Sequence, residues 1–235
     1  MSELEQFNLF DQETRECPFR YFQTIRREQP VYFMQELGAY YVSRYEDLRY
    51  VKKHPEIFSN NIFELGSRGG AERNIAETYR ATHGWKRVST LQRTDPPVHT
   101  KYRKLIDQAF SVRRVRGMVA YVETMVNDLI DGFVDAKACD FMWEFAIPLP
   151  CTVIADQLGV PRDRIWQLKE WSDAMLAPGG GFVDEAAALK CGQRVVEAQK
   201  FFAEVMEARR QSPRDDIITD LVNARVQDAP GGPER

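Results

Sequence analysis

Residues 93–110 read RTDPPVHTKYRKLIDQAF, a stretch that leaves its neighbours little structural choice. Thr94 or Asp95 offers a side-chain acceptor at a helix start. Pro96 or Pro97 then sits where a missing N–H does no harm and φ is already helical. Behind them Val98, Tyr102, Leu105, Ile106, Ala109 and Phe110 recur at helical spacing, which predicts a helix with one buried face. His99 and Arg103 are four apart and so emerge one turn above the other on the same side. An imidazole N–H beside a guanidinium fork suits a carboxylate, because both hydrogen bonds are or can be charge-assisted. Alone, a His–Arg pair at this spacing is more often a surface or structural pair than a clamp.

The rest of the chain is punctuated by prolines and glycines into helical segments. Residues 1–14 read as a polar lead-in. Pro18–Glu28 is an amphipathic helix with Phe19, Phe22, Ile25 and Arg26 on one face, ended by Pro30. Val31–Gln35 and Ala39–Ser43 are short aromatic and β-branched runs joined by Glu36-Leu37-Gly38, a hairpin. Tyr45–His54 is a second helix. Residues 60–92 are loop-rich, with a short helix around Ala71–Thr82. Val115–Val134 carries a continuous apolar stripe at helical spacing, Asp140–Ala146 suits a short strand, and Pro150–Leu158 is apolar on nearly every side with Gly159 as its cap. Helices over Arg162–Leu176 and Asp184–Arg210 flank the link Pro178-Gly179-Gly180-Gly181. Ser212-Pro213 opens a last helix, Asp215–Val226, and residues 227–235 form a disordered tail on one domain of 235 residues. The fold class is therefore mainly α with a small β-hairpin.

Charge is unevenly spread. Between Arg93 and Arg116 seven basic residues face two acidic ones, a net +5 in a chain whose total is −3. A basic patch of this kind steers an acidic partner, although a solvated helix face is the commoner meaning. Cys17, Cys139, Cys151 and Cys191 show no C-x-x-C pair or zinc-like spacing, and the last three read as reduced, buried thiols. The N-terminus has neither a basic start nor an apolar run, and no stretch approaches a membrane span, so the chain reads as cytoplasmic. There is no nucleotide-binding glycine motif, G-x-S-x-G or H-E-x-x-H. The residues offer one chemical site, the His99–Arg103 pair.

The run DPPVHTKYRKLIDQAF followed by SVRRV resembles the C helix of the soluble bacterial cytochrome P-450 family, the haem-thiolate monooxygenases. The order helix, hairpin, helix, then HPEIFSN is also similar to the start of that fold. The resemblance covers about Arg15 to Val226 and implies the N-terminal half of the fold, helices A to H. It implies haem b as cofactor, with His99 and Arg103 on the propionates and Leu91 and Phe110 against the porphyrin. Phe63, Leu65, Trp85 and Val88 are then candidates for lining a pocket for a hydrophobic small molecule. Lys104, Arg113 and Arg114 become the contact for a ferredoxin-type electron donor, with no nucleic-acid or membrane partner. The family's Cys-ligand loop, its long I helix and the Glu-x-x-Arg of its K helix have no counterpart in these residues. The implied function is the N-terminal part of a haem-dependent monooxygenase, inactive in isolation. The alternative is a non-catalytic haem-binding or helical interaction module.

Overall fold

The computed structural model describes residues 4, 7–8, 11–35, 38–61, 71–177 and 184–224. By its contacts the chain divides into two compact units, residues 1–60 and 61–235.

The first unit holds helices α1 (Gln12–Glu16), α2 (Phe19–Glu28) and α3 (Tyr45–Lys53), with a hairpin of β1 (Val31–Met34) and β2 (Ala39–Val42). Val31 pairs with Val42 and Met34 with Ala39 in antiparallel register. Gly38 takes a positive φ of 56°, the left-handed turn conformation that glycine adopts without a steric cost. Leu4, Tyr21 and Ile25 form the core, with Phe7, Phe22, Tyr32 and Tyr41 against it. Two expectations need correcting. Part of the polar lead-in is packed, since Leu4 is buried. The inward face of α2 is Tyr21, Thr24 and Ile25, whereas Phe19 points to solvent.

The second unit is all helix among the described residues. Its elements are α4 (Ala71–His83), α5 (Val98–Ala109), α6 (Val112–Gly117), α7 (Val119–Asp131), α8 (Pro148–Gln157), α9 (Ile165–Leu176), α10 (Glu185–Gln211) and α11 (Ile217–Asn223). Helix α10, capped by the Asp184 carboxylate on Ala187 N–H at 2.8 Å, is the spine against which α4, α9 and α11 pack. Trp171 of α9 is 1% exposed and stands 5.1 Å from the Phe201 ring and 6.0 Å from the Phe202 ring of α10. Gly192 lets α4 come close: a β-carbon there would meet Ala76 O at 3.0 Å.

The predicted Val115–Val134 helix is two helices, broken at Gly117–Met118, where Met118 N–H bonds Val115 O at 3.1 Å. Glycine is among the poorest residues in a helix interior, and the break falls on it. The predicted strand Asp140–Ala146 is instead a π-helical turn over Met142–Ala146. Asp140 Oδ1 accepts Met142 N–H at 3.1 Å and Trp143 N–H at 3.2 Å, and Glu144 reaches back to Asp140 N–H at 3.2 Å. That reciprocal cap closes a helical turn. Cys139 is exposed, and Cys151 and Cys191 are half-buried rather than buried; all four cysteines are free.

Where α8 ends, Gly159 takes φ +64°, as expected of its cap. It sits beside a buried ion pair: Arg209 Nε donates to Asp216 Oδ2 at 2.5 Å, with the side chains 5% and 4% exposed. Asp216 Oδ1 also accepts Thr219 N–H at 2.8 Å and so caps α11. Burial pushes the Asp216 carboxyl up, but the Thr219 N–H and the Arg209 guanidinium outweigh it and hold it below the usual carboxylate range. A second junction joins α7 to α8. The Tyr121 hydroxyl donates to Asp156, and Arg162 grips the same carboxylate at 2.7 Å. Burial, then the bond to Asp156 and its charge, pushes Tyr121 up to about 12.

Candidate functional site

A 3₁₀ turn, Leu91–Arg93, leads to the Pro96–Pro97 pair, whose peptide bond is cis, and α5 begins at Val98. The cap position at this start falls on neither Thr94 nor Asp95. Buried Thr94 turns backward and donates from Oγ1 to Leu91 O at 3.3 Å, while Asp95 contributes its carbonyl, which accepts His99 N–H at 2.9 Å. Pro97 holds the cap position. With two prolines there, fewer free N–H groups remain for a side chain to satisfy.

His99 and Arg103 leave α5 one turn apart, as their spacing predicts. Arg103 is 58% exposed on its side chain, and its Nε bonds Asp107 Oδ1 at 2.8 Å. The pair is an ordinary i, i+4 surface bridge that holds the guanidinium along the helix. Among the described residues, the Arg103 Nη groups and the half-buried His99 imidazole make no bond to protein. What remains is a set of N–H donors at one helix turn with no acceptor of their own. That chemistry fits a carboxylate.

The surroundings of this turn are apolar and open. Val98, Tyr102 and Phe110 are exposed, each at about 45%. Among its described side chains the expected buried face of α5 is therefore largely uncovered, with Leu105 and Ile106 partly shielded. The physical reason is the lack of cover: among the described elements only α11 and the 3₁₀ turn pack on α5 appreciably. Val112, Val115 and Val119, which continue the stripe, are exposed as well.

Comparison with known proteins decides what kind of chain carries such a helix. The chain is 31% identical over 203 residues to cytochrome P450 107B1 of Saccharopolyspora erythraea, which covers 84% of this chain and 47% of the relative. It is 36% identical over 145 residues to 6-deoxyerythronolide B hydroxylase of the same organism, covering 62% of this chain and 34% of the relative. The ligand-free structure of cytochrome P450 TbtJ1 superposes with a TM-score of 0.72 at 29% identity, over 95% of this chain and 53% of that one. This chain belongs to the cytochrome P450 family. It spans about half the length of the curated relatives that match it over most of its own length. No family model matches it.

The P450 fold accounts for the mainly helical chain with one two-stranded antiparallel sheet. Of the four expected pocket residues, Trp85 and Val88 are exposed in the segment that follows α4, and Phe63 and Leu65 lie outside the described residues. Of the expected basic contact, Lys104 and Arg113 are exposed. Arg114 is bound to Asp215 at 3.3 Å and to Asp220, so part of its charge is already matched. No described helix is long and apolar enough to cross a membrane.

Sequence reasoning missed two features near these residues: the Gln199 side chain bonded to the Trp85 main chain, and the buried Arg209–Asp216 pair. The first carries no local signal. The second left half of one: Asp216 is a residue type favoured at a helix N-cap, but nothing local points to Arg209 as its partner.

Proposed function

We propose that this chain is part of a haem-dependent P450 monooxygenase that inserts one oxygen atom from O2 into a hydrophobic small molecule. The observation that carries the reading is the α5 turn, where, among the described residues, His99 and the Arg103 Nη groups stand without a protein acceptor amid exposed Val98, Tyr102 and Phe110. In this reading His99 and Arg103 hold the haem propionates by charge-assisted hydrogen bonds, and Asp107 keeps the guanidinium extended along the helix. Leu91 and Phe110 lie against the porphyrin and exclude water from its edge. Haem b, when bound, would supply the oxygen-activating iron. Trp85 and Val88, together with Phe63 and Leu65, line the substrate pocket. Lys104 and Arg113, with a partly matched Arg114, meet an acidic ferredoxin-type donor by charge complementarity.

The second reading is a non-catalytic haem-binding or helical interaction module. It is favoured by the exposed aromatic surface of Phe141, Met142, Trp143 and Trp166, whose two indoles stand 5.3 Å apart. A CO-difference spectrum of the reduced whole protein separates the readings. A thiolate-type Soret band supports the monooxygenase, a histidine-type band supports a haem-carrying module, and no haem uptake supports an interaction module.

A further inference from the structure

One contact in the second unit joins a side chain to main chain across 114 positions of sequence. Gln199, half-buried on α10, accepts Trp85 N–H through Oε1 at 3.1 Å and donates from Nε2 to Trp85 O at 3.0 Å. Its amide does for one residue what a neighbouring strand would do, satisfying both main-chain groups at once. Glutamate at this position would keep the acceptor and lose the donor.

The preceding residue is fitted to this bond. A β-carbon on Gly84 would overlap Gln199 Oε1 and stand 3.1 Å from Val196 Cγ2. Two turns earlier on α10, Gly192 lets the Ala76 backbone approach, with Ala76 O 3.0 Å from where its β-carbon would stand. Helix α4 and the residues after it are thus pinned to α10 at two levels. The side chains of Trp85 and Val88 are 55% and 75% exposed, so packing does little to fix their position. The bonds to Gln199 hold the Trp85 main chain instead, and Arg87 Nη1 bonds Glu77 Oε1 of α4 at 3.0 Å two residues on.

We propose that Gln199 is a positioning residue for the substrate site: by fixing the Trp85 main chain to α10, it sets where Trp85 and Val88 stand and how large a hydrophobic ligand is admitted. The proposal rests on the monooxygenase reading, in which those two residues line the pocket.

The test uses the whole haem-loaded protein with two readouts. The first is hydrogen exchange at the Trp85 amide. Gln199→Ala removes both bonds and accelerates exchange at least about tenfold, and Gln199→Glu gives an intermediate rate. Gly84→Ala displaces the amide and reproduces the Gln199→Ala rate, and the two changes together add little to either alone. The second readout is the affinity of two iron-ligating probes, imidazole and 4-phenylimidazole, followed by the Soret shift. Gln199→Ala changes the Kd ratio of the large to the small probe by about fivefold or more, while haem content stays at the parent level. Unchanged exchange at Trp85, or faster exchange with both probe affinities unchanged, overturns the positioning role with the monooxygenase reading intact. A parent protein that takes up no haem overturns that reading, and the positioning role with it.

Discussion

Replacing Asp216 by Asn changes one charge and almost no volume, and it strikes the most enclosed polar contact among the described residues. Arg209 Nε and Asp216 Oδ2 are 2.5 Å apart, with both side chains at least 95% shielded, and among the described residues the guanidinium's other bond is a 3.4 Å contact to Gly159 O. Asn caps a helix about as well as Asp, so the Thr219 N–H keeps its acceptor and only the ion pair is lost. Leaving one member of a buried pair unmatched costs about 3–5 kcal/mol, a large part of the roughly 5–15 kcal/mol that holds a domain folded. Native-state hydrogen exchange of the α11 amides reads this directly. At about 1.4 kcal/mol per factor of ten, exchange accelerates by roughly two to four powers of ten. Adding Arg209→Met removes the stranded charge and returns most of the protection, since a buried pair replaced by apolar groups is often neutral.

The pH dependence follows from the depressed Asp216 carboxyl. Its stabilisation is complete above the unfolded value near 3.9 and is lost as pH falls through the lower folded value. Protection of α11 therefore drops on acidification in the parent and less so in Asp216→Asn. Exchange in Asp216→Asn within about threefold of the parent, equivalent to less than 1 kcal/mol, would refute the reasoning.

Gly159→Ala forces a β-carbon into left-handed backbone and against the Arg209–Asp216 pair; the backbone term alone costs about 1–2 kcal/mol, read as a fall in Tm, and an unchanged Tm would contradict the packing described. Charge reversal at Lys104 and Arg113 slows reduction by an acidic ferredoxin, more so at low salt, and unchanged rates at about 20–50 mM salt would remove the donor assignment. Reversal at Arg114 also breaks its bonds to Asp215 and Asp220, so it lowers stability as well as rate, which a thermal melt distinguishes. The 235-residue chain by itself, with Val98, Tyr102, Val112, Val115, Val119, Phe141 and Trp143 exposed, binds the dye ANS and associates or melts without a cooperative transition; a sharp transition of a monomer without dye binding would favour the interaction-module reading.

Much of the fold was legible because its signals are local. Pro30 and Gly159 mark element ends through their own backbone geometry, and the aromatic and β-branched runs on either side of Gly38 mark the hairpin. The α5 helix and the spacing of His99 and Arg103 were legible for the same reason. Helical periodicity, however, reports which face a helix can bury and not what covers it, so Val98, Tyr102 and Phe110 were read as buried although they are exposed. At 140–146 the alternating Phe141, Trp143 and Phe145 imitated a strand, while the reciprocal Asp140–Glu144 cap decided for a helical turn. The Gln199–Trp85 and Tyr121–Asp156 contacts left no trace in the sequence, because each joins residues far apart in the chain through side chains common on any surface.

The assignment of His99 and Arg103 to the haem propionates is tested most directly by the rate at which the whole protein yields haem to an acceptor such as apomyoglobin. Each charge-assisted bond contributes about 1.5–3 kcal/mol, so Arg103→Ala speeds haem loss about tenfold or more. His99→Ala has a smaller effect, because an imidazole offers one N–H to a propionate where a guanidinium fork can offer two. Arg116→Ala, a basic change outside the α5 turn, leaves the rate at the parent value. Haem held as tightly by Arg103→Ala and His99→Ala as by the parent would contradict the assignment.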